Sequence, residues 1–268
     1  MITGKNSGKH RMTGPDVRNI KDQRGVSFVV SPHFGALGLD FLVRGDTHLC
    51  PYRPNLEACE QVFRAETFPP ELYHDFMDIG FRRSGKYFYR PVCAECNECR
   101  PIRTLLSEYR PNKPHRRILS KNQDVAVSIG SPKFTLEKYR LYSYYLESRH
   151  GSGFADSPSA VKRSMYSSPV QTLEFEYRLQ GRLIAAGLVD LCSRSLSSVY
   201  VFYDPDLSRR SLGTFSALQE LSFARDHGIP YYYLGFFVAD CKAMNYKAHY
   251  RPYETLSESF DWVGGPGS

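Results

Sequence analysis

The sequence predicts an α+β fold, on three patterns within its 268 residues. Residues 172–179 and 183–191 read as strands joined by Gln180-Gly181, a tight-hairpin signal. Residues 199–203 give a third strand, followed by a loop, an amphipathic helical pattern over 214–227 and a fourth strand over 231–234. Upstream, a smaller N-terminal region mixes short strand and helix patterns with the cysteines Cys93, Cys96 and Cys99.

Taken in order, residues 1–25 hold six Lys/Arg against two Asp and almost no large apolar groups, so a disordered basic tail is expected. Residues 26–124 form the cysteine-containing region. A loop is expected around 32–38, and Pro51 and Pro54 make 50–59 irregular. Pro69 and Pro70 open a helix running through Met77, and Gly80 closes it. Residues 87–90 and 102–106 read as strands, and 114–123 as a helical start with a basic face. The second domain, 125–268, opens with a long helix over 134–149. There Leu136, Tyr139, Tyr142, Tyr145 and Leu146 recur at three- and four-residue spacing and are expected in the core. Gly and Ser make 151–158 a loop, and Gly228 and Pro230 stop the 214–227 helix.

Composition narrows the function. No apolar run approaches the roughly 20 residues of a membrane span, and no apolar stretch follows the basic N-terminus as in a secretory signal. A soluble, cytoplasmic protein without membrane partners is the expectation. Seven cysteines, three of them within seven positions, do not suit a secreted disulfide framework. The formal charge of +7 is uneven: residues 100–121 hold seven Lys/Arg against Glu108 alone. Such a cluster attracts phosphate backbones, although a solvated basic face has the same composition.

Two constellations carry chemistry. The hairpin, third strand, loop, helix and fourth strand follow the order of a GNAT-type acyltransferase core. Its loop, Ser208-Arg209-Arg210-Ser211-Leu212-Gly213, offers backbone N–H groups and a helix N-terminus to an anion, with Gly213 permitting close approach. The second glycine of a coenzyme-A loop is missing, which argues against an ordinary acetyltransferase. Cys93-x-x-Cys96-x-x-Cys99, with Cys50 as the best fourth ligand, suits a four-thiolate zinc site or an iron–sulfur cluster; free reduced thiols are the alternative. Cys192 reads as buried filler, and Cys241 lacks the His and Asn partners of a nucleophile.

Gly80-Phe81-Arg82-Arg83-Ser84-Gly85, Tyr89-Arg90-Pro91-x-Cys93-x-x-Cys96-x-x-Cys99 and Pro101-x-Arg103 resemble the N-terminal part of arginyl/leucyl-tRNA–protein transferases, as does Cys50-Pro51-Tyr52. Phe202-Tyr203-Asp204-Pro205, Ser211-Leu212-Gly213, Tyr233-Leu234-Gly235 and Met244-Asn245-Tyr246-Lys247-x-x-x-Arg251-Pro252 resemble the C-terminal part. The resemblance runs from about residue 50 to 253, and its short length is similar to the bacterial leucyltransferase branch. It implies an enzyme that moves leucine from leucyl-tRNA to the N-terminal amine of proteins beginning with Asp or Glu, marking them for degradation by the N-end rule. Arginyl-tRNA is the alternative donor. A coenzyme-A-dependent acetyltransferase and a metal-containing nucleic-acid-binding module are the rival classes.

Because the donor ester is already activated, no cofactor is required for the transfer, and zinc or an iron–sulfur cluster enters only through the cysteines. The tRNA phosphates are assigned to Lys113, Arg116, Arg117, Lys121, Arg209, Arg210 and Gly213. The acceptor's acidic side chain is assigned to Arg82, Arg83 or Lys247; for Arg83 and Lys247 an ion pair holding the domains together is the equal alternative. Tyr203 and Tyr246 are the candidates for orienting the reacting groups. The oligomeric state is left open.

Overall fold

The structure, a computed structural model, describes residues 18–21, 27–30, 42–151 and 156–266. By its contacts the chain divides into Met1–Val43 and Arg44–Ser268. In the first unit Arg18–Lys21 (β1) and Ser27–Val30 (β2) pair antiparallel. Arg18–Lys21, expected within the disordered tail, are therefore strand. The rest of 1–25, and the loop expected at 32–38, lie outside the described residues.

Val43–Arg44 (β3) stands at the border of the larger unit, and His48–Leu49 (β4) pairs with Glu57–Ala58 (β5). Glu60–Arg64 (β6) and Arg82–Ser84 (β7) both pair antiparallel with Tyr87–Pro91 (β8). Between β6 and β7 runs helix α1 (Pro70–Asp78). Pro70 occupies its first turn, where a missing N–H loses no bond, and Gly80 ends it at φ +95°. Phe63, Phe68, Tyr73, Phe76, Phe81 and Phe88 pack here as one buried aromatic group; the Phe63 and Phe88 rings stack at 4.8 Å.

The remaining elements are Arg100–Leu105 (β9), Lys113–Lys121 (α2), Val125–Gly130 (β10), Leu136–His150 (α3), Pro158–Met165 (α4), Thr172–Leu179 (β11), Arg182–Leu191 (β12) and Ser195–Tyr203 (β13). A 3-10 turn over Pro205–Arg210 leads into Leu212–Asp226 (α5). Tyr231–Phe237 (β14), Lys242–Asn245 (α6), a 3-10 turn over Tyr246–His249, Tyr253–Leu256 (β15) and Trp262–Gly264 (β16) complete the chain. One eight-stranded sheet has the order β10-β11-β12-β13-β14-β9-β15-β16. The β11–β12 turn places Gln180 at φ 51° and Gly181 at φ 83°, as a tight hairpin requires. Strand β12 is buried from residue 183 to 190. Leu212, Phe215, Leu218 and Leu221 of α5 form one cluster over the sheet, and Tyr142, Val161 and Met165 of α3 and α4 form another with Ala186, Leu188 and Phe202. This is an α+β arrangement, with the hairpin, third strand, helix and fourth strand in the order the sequence implies.

Two expectations change. A boundary at 124/125 would cut one unit, because β9 lies inside the main sheet between β14 and β15. Leu136, expected in the core, is 61% exposed. What α3 buries instead includes Lys138, paired with Glu174 and with Glu176 at 2.7 Å.

Candidate active site

Strands β13 and β14 are parallel neighbours over three residue pairs, Ser195–Ser197 against Tyr231–Tyr233. Just beyond, each carries an extra residue. Leu188 partners Tyr200 while Val189 partners Ser198, leaving Val199 over; Tyr233 partners Arg103 while Gly235 partners Ile102, leaving Leu234 over. A bulge bends its strand and increases the twist. Two at the same level let the strands part, and the backbone beyond them is free of the shared ladder.

Two cations stand at this split. Arg82, on β7, donates to Ser197 Oγ at 2.8 Å and to the Ser198 carbonyl. Lys247 donates from Nζ to the Phe236 carbonyl. Both are 7% exposed. A Cβ built on Gly235 would lie 3.5 Å from Arg82 Nη2 and 3.5 Å from Lys247 Nζ, and Gly235 adopts φ +88°. Glycine is therefore needed for the backbone conformation, and both cations stand at van der Waals distance from where a Cβ would lie. Burial, and next the Arg82 guanidinium, push the Lys247 amine down to about 7. Among the described residues no carboxylate forms a salt bridge with either cation.

Arg83 is different. Its Nε and Nη2 donate to the two Asp190 oxygens at 2.7 and 2.6 Å, Nη1 donates to the Gly85 carbonyl, and neither side chain of the pair is exposed. Arg83 is a clamp between β7 and β12. With its charge matched and its side chain closed off, it leaves the acceptor-binding set.

On the α5 side, Tyr203 ends β13 with its hydroxyl bonded to Arg149 and its ring 4.8 Å from Tyr145. A Cβ on Gly213 would touch Tyr203 Cε1 at 3.2 Å, so the helix N-terminus and this tyrosine are in contact. Tyr246 is 43% exposed and lies within electrostatic range of Tyr203, Arg149 and Glu220. The Ser211 cap has φ 55° and gives α5 no side-chain cap bond.

The basic residues do assemble. Lys113, Arg116, Arg117 and Lys121 are exposed on α2, whose start is capped by Asn112. Lys121 Nζ donates to the Arg209 carbonyl at 2.8 Å, and Asn122 donates to the Arg210 carbonyl at 2.9 Å. Helix α2 is thereby stitched to the loop before α5, and the two basic segments become one surface. Arg210 is paired with Asp124 through both Nη atoms, whereas Arg209 stays exposed.

Cys50, Cys93, Cys96 and Cys99 line one cavity of about 390 Å³ together with Tyr52, Arg90 and Phe236. Burial first, then the neighbouring sulfurs, push the Cys99 thiol up to about 12. The donor chemistry suits a thiophilic metal. The side chains stand as neighbours around a cavity, and among the described residues no group of three or more His, Cys, Asp or Glu is set to hold an ion. Cys59 is outside the cavity lining: its thiol donates to the Gly45 carbonyl, while its own carbonyl accepts from Cys93 Sγ.

Residues 48–117 match the family described as arginine-tRNA-protein transferase, N terminus, and residues 137–257 match its C terminus. The aspartate/glutamate leucyltransferase of Pseudomonas putida is 41% identical over 215 residues, covering 78% of this chain and 90% of that protein. That of Pseudomonas entomophila is 41% identical over the same shares. This chain belongs to the aspartate/glutamate leucyltransferase family.

Among solved structures, the C-terminal domain of a putative lysylphosphatidylglycerol synthetase from Agrobacterium fabrum aligns at a TM-score of 0.44 and 14% identity, over 73% of this chain and 66% of that one. Both family segments build the split: the N-terminal one brings Arg82 and β9, the C-terminal one Ser198, Gly235 and Lys247. Sequence reading missed Arg149, Ser198 and Glu220. Glu220 left a legible signal, an acid on the same helical face as Ala217 and Ala224. Among the described residues no helix is long and apolar enough to cross a membrane.

Proposed function

We propose that this chain transfers leucine from leucyl-tRNA to the N-terminal amine of proteins beginning with Asp or Glu, with the acceptor's carboxylate received by Arg82 and Lys247. The observation that carries this reading is the pair of buried cations at Gly235, which have no carboxylate partner among the described residues. A buried charge is costly unless matched, and an acidic acceptor side chain supplies the match. The α-amine of the same residue then lies at the apex of the split. The basic face of Lys113, Arg116, Arg117, Lys121 and Arg209 suits the phosphates of the donor, with the α5 N-terminus at Gly213 beside its 3′ end.

The aminoacyl ester is already activated and the acceptor amine, with a pKa of about 7.7–8.0, is partly neutral near pH 7. Direct attack therefore needs no covalent enzyme intermediate. Holding amine and ester together contributes up to about 7–11 kcal/mol in favourable cases. Tyr203 and Tyr246 border the donor side, where they orient the reacting ends. The cysteine cavity is read as a thiolate site for zinc or an iron–sulfur cluster that fastens the segment carrying Cys50 to the one carrying Cys93, Cys96 and Cys99; no step of the transfer passes through it. What supports this is that the four cysteines line one cavity, and metal analysis of the purified protein tests it.

The experiment for the whole reading supplies radiolabelled leucyl- or arginyl-tRNA with peptides beginning in Asp, Glu or Ala. Label from leucyl-tRNA should enter the Asp and Glu peptides. No incorporation from either donor rejects the reading, and incorporation from arginyl-tRNA alone replaces leucine with arginine as the group transferred.

A further inference from the structure

Glu220 has no role in the chemistry described so far, yet its surroundings are built for it. It is 1% exposed on α5 and accepts hydrogen bonds from Ser216 Oγ at 2.8 Å and Tyr232 Oη at 2.6 Å. The Ser198 side chain lies within electrostatic range of both Glu220 and Tyr232. Gly187 makes room: a Cβ there would come within 2.9 Å of Ser216 Oγ and 3.2 Å of Glu220 Oε1. Tyr177 from β11 reaches Ser216 at 3.0 Å behind it. The ionisable groups facing Glu220 are the buried phenols of Tyr177, Tyr232 and Tyr250 and the half-exposed phenol of Tyr246, all raised and neutral near pH 7. Among the described residues no cation pairs with it.

Ser198 connects this pocket to the split. It is the first β13 residue beyond the stretch shared with β14, it is partly exposed, and its carbonyl is held by Arg82. One residue thus holds Arg82 through its carbonyl and has its side chain beside the buried carboxylate.

We propose that Ser198 and Glu220 form a proton relay that takes the proton from the acceptor's α-ammonium. The Ser198 hydroxyl accepts the N–H proton while passing its own to the Glu220 carboxylate, and the freed lone pair attacks the ester carbonyl. The C–N bond forms and the bond to the ribose oxygen breaks. A second amine proton goes to that oxygen as it leaves, and the relay proton is returned to water, so one amide, one free 3′-terminal ribose and one H⁺ result. Burial raises the Glu220 carboxyl to about 7, close to the amine it serves, as an efficient acid–base partner requires. The proposal rests on the acceptor amine lying at the apex of the split.

The test compares kcat/KM for an Asp-ended peptide at pH 7 and pH 9 in wild type, Glu220→Gln and Ser198→Ala, with leucyl-tRNA binding and thermal unfolding measured alongside. At pH 7 Glu220→Gln should lose about 100-fold or more, and Ser198→Ala should also lose activity. Both losses should shrink at pH 9, where the amine is already neutral and needs no relay. Wild-type rates in either variant at pH 7, or an equal loss at both pH values, overturn the relay. Absence of transfer by the wild type instead overturns the leucyl-transfer reading on which it rests.

Discussion

Lys247 permits a worked prediction about the acceptor. Its amine ordinarily gives up its proton near 10.5, but here it does so at about 7 because burial and Arg82 both oppose the charge. At about 1.4 kcal/mol for each pH unit, that fall corresponds to about 5 kcal/mol. A carboxylate bound between the two cations returns part of this energy, so acceptor binding and protonation of Lys247 are coupled. At pH 7 about half of the empty sites carry the proton, and each pH unit above that removes about tenfold of the charged form. The measurement is the ratio of kcat/KM for a peptide beginning with Asp to that for one beginning with Asn. Donor binding and amine ionisation are nearly common to both peptides and cancel. The ratio should fall by up to about tenfold from pH 8 to pH 9 in the wild type. Removing the ammonium in Lys247→Met should lower it at pH 7 by about 10- to 100-fold, the worth of about 1.5–3 kcal/mol for a hydrogen bond to a charged group, and should flatten its pH dependence. A Lys247→Met ratio that matches the wild type, or keeps its pH slope, refutes the assignment.

Other expectations follow from the same geometry. Glu220 has a folded pKa raised from 4.5 to about 7, so its contribution to stability is fully present below about 4.5 and is lost as pH rises through 7. Glu220→Gln should therefore gain about 2–3 kcal/mol on the wild type between pH 5 and pH 9 in urea unfolding; a constant difference contradicts the titration. Asp190→Asn leaves Arg83 buried without a counter-charge and should cost about 3–5 kcal/mol by the same measurement. Changing Lys113, Arg116 and Arg117 to Ala should weaken leucyl-tRNA binding and reduce the salt slope of log K by roughly 0.7–0.9 for each phosphate no longer neutralised. An unchanged slope would move the donor elsewhere.

Local rules explain which elements were legible. Pro69 and Pro70 before an apolar period, and Gly80 after it, located α1 to within a residue. The Gln180-Gly181 turn located the β11–β12 hairpin, since few dipeptides adopt two successive positive φ values. Strands β6, β10, β15 and β16 escaped because they are short or alternate weakly, and what holds them is pairing with distant partners. Residues 134–149 misled at Leu136 because the buried face of α3 holds Lys138, whose charge is matched by Glu174 and Glu176 thirty-odd positions away.

For the site, the sequence by itself determined the basic segments and the cysteine cluster, which reside in residue type and spacing, and its motifs gave the reaction class and a short set of candidate cations through family resemblance. Tertiary structure decided which cation was free. Arg82 and Arg83 are neighbours in one motif, and alternation along β7 sends one to the split and the other to Asp190. It also decided that Lys121 and Arg209, 88 positions apart, share one surface. Glu220 became a relay candidate through Ser198 and Tyr232, neither of which is its neighbour in sequence. The physical reason is that the state of a charge depends on what it is buried against, and long-range packing sets that.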